Sequence, residues 1–310
     1  MSVLICGSMA YDTIMVFHDR FKHHILPEQV HILNVSFLVP DLRREYGGCA
    51  GNIAYNLKLL GGEPLIMATV GKDFQHYSQW LAYCGLSHEY IRVLEDSFTA
   101  QAYITTDMDD NQITAFHPGS MSFSHLNQVP SDRGIKLGIV SPDGKDGMVQ
   151  HARQFHALGI PFIFDPGQGM PMYNGEELLE FVELADWVTL NDYEAKLMEE
   201  RTGLSPDQLA AKVKALIVTK GGDGSLIYTE GGILEIPSAT PKLVSDPTGC
   251  GDAYRAGLLY GLAEGLDWAT TGRIASLLGA IKVETAGTQN HGFTLNEFKV
   301  RYRENFGHGF

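Results

Sequence analysis

The sequence predicts an α/β chain: a doubly wound, mainly parallel sheet that carries a small β-lid. Three observations predict it. Short apolar runs recur along the chain, each followed by a polar or glycine-containing turn and then a helical pattern, which is the spacing of β-α-β units. The runs are continuously apolar rather than alternating, as strands buried on both faces are. Two further stretches alternate apolar and polar residues with no helix between them, in the manner of half-exposed strands.

The runs, in order, are Val3 to Cys6, Leu65 to Val70, Ile135 to Val140, Phe162 to Phe164, Trp187 to Leu190 and Leu216 to Val218. The last third turns helical over Asp252 to Gly265, Trp268 to Thr285 and Thr294 to Asn305. Ligands of parallel sheets collect beyond the carboxyl ends of the strands. Polar clusters stand there: Asp165 with Gly167 and Gln168, Asn191 with Glu194, and Lys220 with Gly221 and Gly222. The alternating stretches, at about 13 to 46 and 97 to 118, predict the lid, as in Gln101 to Thr106. Val30, Ile32, Leu33, Val35, Phe37 and Val39 would give that lid apolar surface and open edges, so a homodimer through the lid is expected. With no repeat or low-complexity linker, residues 1 to 310 are expected to form one domain.

Composition narrows the function. Hydrophobic residues make up 44% of the chain, enough for one large core. No apolar run approaches the roughly 20 residues of a membrane span, and Met1 to Ser8 carries no basic leader, so a cytoplasmic protein is expected. The four cysteines, Cys6, Cys49, Cys84 and Cys250, are far apart with no CxxC pair, which suggests neither disulfides nor a zinc site. A formal charge of −14, from 37 acidic and 23 basic residues, argues against nucleic acid or an anionic membrane as partner. An anionic small molecule is still allowed, because backbone dipoles bind phosphate on a negative protein.

The strongest motif is Asp246-Pro-Thr-Gly249-Cys250-Gly251-Asp252, which opens a long helical pattern. Gly249 and Gly251 let the backbone approach a ligand, and free N–H groups at a helix start form an anion site together with Cys250. Asp252 would stand beside that site, able to accept the proton of an attacking hydroxyl. Acidic residues that merely complement a helix dipole are the simpler reading; two aspartates bracketing two glycines exceed what that needs. The dipole is expected to lower the pKa of Asp252 and of the Cys250 thiol. A second motif, Gly47-Gly48-Cys49-Ala50-Gly51-Asn52, gives a tight turn and an Asn52 able to bind vicinal hydroxyls, although a glycine turn with a capping Asn would look the same. The clustered His18, Asp19, His23 and His24 read as a solvated loop rather than a metal site, and no GxxxxGK[ST] P-loop is present.

With Asp12 after the first strand, these motifs resemble those of the ribokinase family, the PfkB carbohydrate kinases, over essentially the whole chain. The resemblance implies a ribokinase-like fold, ATP and Mg2+, and a small nucleoside or sugar as substrate. Asp12 and Asn52 would hold ribose hydroxyls and Asp252 would be the base. Asn191 and Glu194 would organise magnesium, Glu194 through water, while Thr219, Lys220, Gly222 and Gly224 would border ATP. Asp246 with the loop between Thr285 and Gly292 resembles the family's potassium site. Within the family the chain is most similar to the bacterial adenosine kinases, in Gly7 to Asp12, Leu33 to Val39, Ala115 to Gly119, Asn191 to Glu194 and Gly287 to Asn290. That likeness would put Ser8, Ser36, Gly48 and Phe116 around a nucleoside, with Phe116 stacked on the base or else filling the lid's apolar face. Gln168 would also reach the nucleoside and Asn290 the nucleotide. The implied reaction is adenosine plus ATP to AMP plus ADP, with a ribokinase or other sugar kinase as the alternative.

Overall fold

The computed structural model describes residues 2–25, 34–109, 111–131 and 134–310; Val30, Ile32 and Leu33 of the expected lid lie outside them. The chain runs β1 (Ser2–Cys6), β2 (Ala10–Val16), β3 (Asp41–Gly47), α1 (Cys49–Leu59), β4 (Glu63–Gly71), α2 (Gln75–Tyr83), β5 (Ser87–Leu94), β6 (Ala100–Thr106), β7 (Gln112–His117) and β8 (Leu137–Val140). It continues through α3 (Lys145–Ala157), β9 (Phe162–Phe164), α4 (Gly175–Leu184), β10 (Trp187–Asn191), α5 (Asp192–Thr202), α6 (Pro206–Ala210), β11 (Ala215–Thr219), β12 (Ser225–Thr229), β13 (Gly232–Ile236), α7 (Cys250–Ala263), α8 (Trp268–Val283) and α9 (Leu295–Phe306).

Among the described residues one sheet has nine strands in the order β13-β12-β11-β10-β9-β8-β1-β4-β5. All its pairs are parallel except the β11-β12-β13 edge. Strand side chains alternate between two cores, as a pleat of period two requires. Val3 and Ile5 face the core shared with α1, α2, α7, α8 and α9, while Leu4 and Cys6 face the core under α3 to α6. Leu137 with Ile139, and Ala215 with Ile217, repeat the first choice; Val140, and Leu216 with Val218, repeat the second. This two-sided burial is why the strands read as unbroken apolar runs.

Strand order reverses at β1. From there the chain moves out to β5, returns to β8 beside β1 and moves out the other way to β11. Such a switch point leaves a crevice at the carboxyl edge. Ser8 and Pro142, just past β1 and β8, are tied across it by the Ser8 N–H donating to the Pro142 carbonyl at 3.0 Å.

A second sheet, β3-β2-β6-β7, forms the lid. In register, Asp12 lies beside Glu45 and Ala102, and Ala102 beside Phe116, so these four side chains share one face. Ile14 and Ile104 stand next along it. The opposite face carries Tyr11 and Tyr46 onto Tyr77 and Trp80 of α2, and further out leaves Leu42, Tyr103 and Ile113 exposed. Phe37 closes the lid's far end against Phe17 and Phe21, with ring centroids 4.9 and 5.0 Å apart. The histidine-rich loop holds side-chain hydrogen bonds, Asp19 with His23 and His24 and His18 with Asp41, and no metal-binding group of three or more His, Cys, Asp or Glu occurs among the described residues. None of the described helices is long and apolar enough to cross a membrane.

The long helix α7 is buried against α8 through glycine. A Cβ at Gly257 would overlap the backbone of Ala275, so the two helices approach as closely as they do only because position 257 has no side chain. Gly257→Val should force them apart and lower stability by about 1–3 kcal/mol, read as a lower urea midpoint with unchanged slope.

Candidate functional site

Beyond the carboxyl edge of the sheet, α7 begins on Gly249, whose φ of 80° is left-handed and whose Cβ would press on the Thr288 side chain at 3.0 Å. Both constraints call for glycine. The Cys250 N–H donates to the Pro247 carbonyl at 3.1 Å, so Cys250 does not contribute an anion-binding amide as its place in the motif suggested. The amides of Gly249, Gly251 and Asp252 have no partner among the described residues. Three unsatisfied N–H groups at the positive end of a helix are an anion cradle.

Asp252 stands in the first turn of α7. Its Oδ2 accepts from Asn52 Nδ2 at 2.8 Å. Asn52 is orientated by a chain of contacts: its Oδ1 accepts from Gln289 Nε2 at 3.0 Å, and Gln289 Oε1 accepts from Trp80 Nε1 at 2.8 Å. With its oxygen committed to Gln289, the Asn52 amide must present N–H to Asp252. Burial pushes the Asp252 pKa up to about 6, with Asp165 adding to the rise and Asn52 and Arg255 opposing it. The lowered value expected from the helix dipole is therefore overturned, because desolvation of the carboxylate outweighs the dipole. The same holds for Cys250, whose thiol burial raises to about 11, so it is not an activated thiolate.

Behind Asp252 lies a buried charge cluster. Arg255 Nη2 donates to Asp165 Oδ1 at 2.9 Å and lies 3.8 Å from Glu194 Oε2, and both acids are buried. One guanidinium thus balances an acid that follows β9 and an acid in the first turn of α5, while Asp252 loads the cluster further. Sequence reasoning singled out Asp165 only as a polar residue after its strand and missed Arg255; its signal was spacing, since a residue three beyond Asp252 shares its helix face.

On the lid side, burial and then the neighbouring Glu45 and Asp246 push the Asp12 pKa up to about 6, and its carboxylate accepts no hydrogen bond among the described residues. Gly47 and Gly48 make room for it. A Cβ at Gly47 would come 2.7 Å from Asp12 Oδ2, and one at Gly48, whose φ is 86°, would come 2.6 Å from the backbone of Ser8 to Ala10. Ser8 is buried, its Oγ accepting from the Cys49 N–H at 3.2 Å. Phe116 stands half exposed, at 49%, on the Asp12 face of the lid. Ser36 is exposed beside Phe37, without a hydrogen bond among the described residues, and Gln168 is exposed on the turn after β9.

Asn191 and Glu194 form the capping box of α5: the Asn191 N–H donates to Glu194 Oε2 at 2.8 Å, and the Glu194 N–H donates to Asn191 Oδ1 at 2.7 Å. Both Glu194 oxygens are engaged, so this carboxylate suits accepting from metal-bound water better than direct ligation. That fits magnesium, which keeps much of its water and is held largely by substrate phosphates. Thr219 ends β11, and Lys220 and Gly222 are exposed on the turn to Gly224, whose φ of 84° lets β12 start. Asn290 Nδ2 donates to Glu45 of the lid at 2.8 Å and to the Ala286 carbonyl at 3.0 Å. The expected potassium site at Asp246 does not fit these residues. The Lys282 ammonium already donates to the carbonyls of Asp246 and Thr285, at 2.8 and 3.1 Å, and the Asp246 carboxylate is occupied by the N–H groups of Thr248 and Gly287, each at 2.9 Å.

Fold and crevice together define a ribokinase-like α/β protein. The nucleoside kinase of Burkholderia thailandensis, solved in complex with inosine, superposes with a TM-score of 0.90 at 52% identity, covering 99% of each chain. The nucleoside kinase of Methanocaldococcus jannaschii is 33% identical over 261 residues, 83% of this chain and 85% of that relative. That of Methanothermobacter thermautotrophicus is 30% identical over 305 residues, 96% and 97% of the two chains. The model of the pfkB family carbohydrate kinases matches residues 8–294, and the chain belongs to that family.

The charge cluster makes a prediction independent of any activity. Arg255→Met would leave Asp165 and Glu194 buried and uncompensated, and should cost about 3–5 kcal/mol. Denaturant unfolding measures it, and the loss should shrink as pH falls and Glu194, whose pKa burial raises, takes up a proton.

Proposed function

We propose that this chain is an ATP-dependent nucleoside kinase that transfers the γ-phosphoryl group to the ribose 5′-hydroxyl of a purine nucleoside, adenosine giving AMP and ADP. The observation that carries the reading is Asp252: a carboxylate of raised pKa, aimed by Asn52, beside three unpaired helix amides. The inosine bound to the Burkholderia thailandensis relative supports a nucleoside over a free sugar.

In the proposed reaction Asp252 accepts the proton of the 5′-hydroxyl as the new O–P bond forms and the bond from phosphorus to the ADP oxygen breaks. A carboxylate near pKa 6 is ionised at neutral pH yet more basic than an exposed aspartate, which suits that task. The Gly249, Gly251 and Asp252 amides receive the charge that spreads over the transferred group. Asp12, without a hydrogen-bond partner among the described residues, and Asn52 bind the ribose hydroxyls, and Phe116 with Ile14 and Ile104 offers the base an apolar face. Thr219, Lys220, Gly222 and Gly224 border ATP. Glu194 beside Asn191 would hold magnesium through its water, and the ion would supply charge neutralisation on the phosphates.

A phosphorylated substrate is disfavoured by the lid's own pairing. Arg20 and Lys22 bind Asp109, Arg43 binds Glu45, and Arg44 lies on the Tyr11 ring and 3.6 Å from Asp73.

The test is ADP release with adenosine, inosine, guanosine, ribose, fructose and fructose 6-phosphate at one concentration. Nucleosides should exceed ribose in kcat/KM by at least about tenfold, since base stacking contributes about 1–3 kcal/mol. A preference for ribose or fructose 6-phosphate would replace the nucleoside by a sugar. The pH profile supplies a second check. Asp12 and Asp252 both take up protons as pH falls through about 6, so kcat/KM should be flat above that value and fall more steeply than one titration below it. An acid limb near pH 4 would contradict the raised values.

A further inference from the structure

Lys282, in the last turn of α8, has no exposed surface. Its ammonium meets no carboxylate within ion-pair distance among the described residues; it is held by backbone carbonyls instead, those of Asp246 and Thr285. A buried ammonium is costly unless its surroundings compensate it, and here the nearby Asp246, Cys250 and Asp252 favour the charge that burial disfavours. Collecting carbonyl oxygens in a closed pocket is what a small monovalent cation does.

The two carbonyls belong to the two loops that build the site. Asp246 opens the turn that leads to Gly249 and the anion cradle. Thr285 opens the loop whose Gly287 N–H binds Asp246, whose Thr288 hydroxyl donates to the Tyr46 carbonyl at 2.6 Å, and whose Gln289 orientates Asn52. One ammonium therefore ties the cradle to the loop that holds the lid and aims the base.

We propose that Lys282 is a tethered cation: a positioning residue that takes the place of a bound monovalent ion between the Asp246 and Thr285 loops and makes the protein independent of such ions. Only the activity readout rests on the kinase reading; ion binding stands apart from it.

The experiment compares the unaltered chain, Lys282→Ala and Lys282→Met in potassium, ammonium and N-methyl-D-glucamine chlorides at matched ionic strength. The unaltered chain should show the same kcat and Tm in all three. Lys282→Ala opens a carbonyl-lined hole, so in N-methyl-D-glucamine its kcat should fall roughly 10- to 100-fold through misplacement of the cradle. Potassium or ammonium should raise both its kcat and its Tm, the latter because an ion that binds only the folded state stabilises it. Lys282→Met fills the hole with an apolar stem and should lose activity without rescue. A rise in Tm of Lys282→Ala with potassium, with no kinase activity in any of the proteins, would uphold the tether and remove the kinase reading. Potassium dependence of the unaltered chain, full activity of Lys282→Met, or a Tm of Lys282→Ala indifferent to all three cations would each overturn the proposal.

Discussion

The 2.8 Å hydrogen bond from Asn52 to Asp252 joins the first helix after the lid to the helix that opens the anion cradle, and the site is organised around it. A side-chain amide can rotate by half a turn and present oxygen instead, which would repel the carboxylate. Gln289 prevents that by donating to the Asn52 oxygen, and is fixed in turn by Trp80 and by the Tyr77 hydroxyl at 2.7 Å. Tyr77 donates onward to the Gly47 carbonyl at 2.8 Å, so the end of β3, the C-terminal loop and Asp252 share one directional network. Gly51 is part of the same constraint, since any side chain there would collide with the Tyr77 hydroxyl.

The electrostatics follow from what surrounds that bond. The chain carries a formal charge of −14, and acids crowd the crevice: Asp12, Glu45, Asp165, Glu194, Asp246 and Asp252. Such a site can receive a phosphate because its donors are backbone amides, which bring no counter-charge to be neutralised. The two buried cations among the described residues are both committed inward, Arg255 to Asp165 and Lys282 to carbonyls. They make the acid cluster tolerable without offering a side-chain cation to the substrate, while burial first, and neighbouring acids second, raise the pKa values of Asp12 and Asp252.

Much of this was legible in the sequence because it depends on local pattern. The runs Val3 to Cys6 and Phe162 to Phe164 are strands because continuous apolar residues bounded by turns suit two-sided burial, and the three C-terminal helices fall within a few residues of their expected limits. Tyr254 and Leu258, one turn apart on α7, are both buried. The β12-β13 hairpin was not anticipated: its outer strand is only five residues long and, although Ile233, Leu234 and Ile236 are apolar, its first four positions are exposed on the sheet edge. Long-range pairing was also beyond sequence pattern. Nothing local says that Arg255 meets a carboxylate 90 residues earlier, or that Asn290 reaches Glu45. The direction of the Asp252 shift failed for the same reason: the helix dipole is visible in sequence, whereas burial depends on what the rest of the fold brings over the carboxylate.

The central claim is that Asp252 is the base and that Asn52 aims it. Asp252→Asn keeps the shape and removes proton acceptance, so it tests the claim most directly when turnover and binding are measured on the same preparation. The account predicts a fall in kcat of roughly 10²-fold or more, with the affinity for nucleoside, measured by calorimetry, little changed. A variant that turns over at close to the normal rate would contradict it.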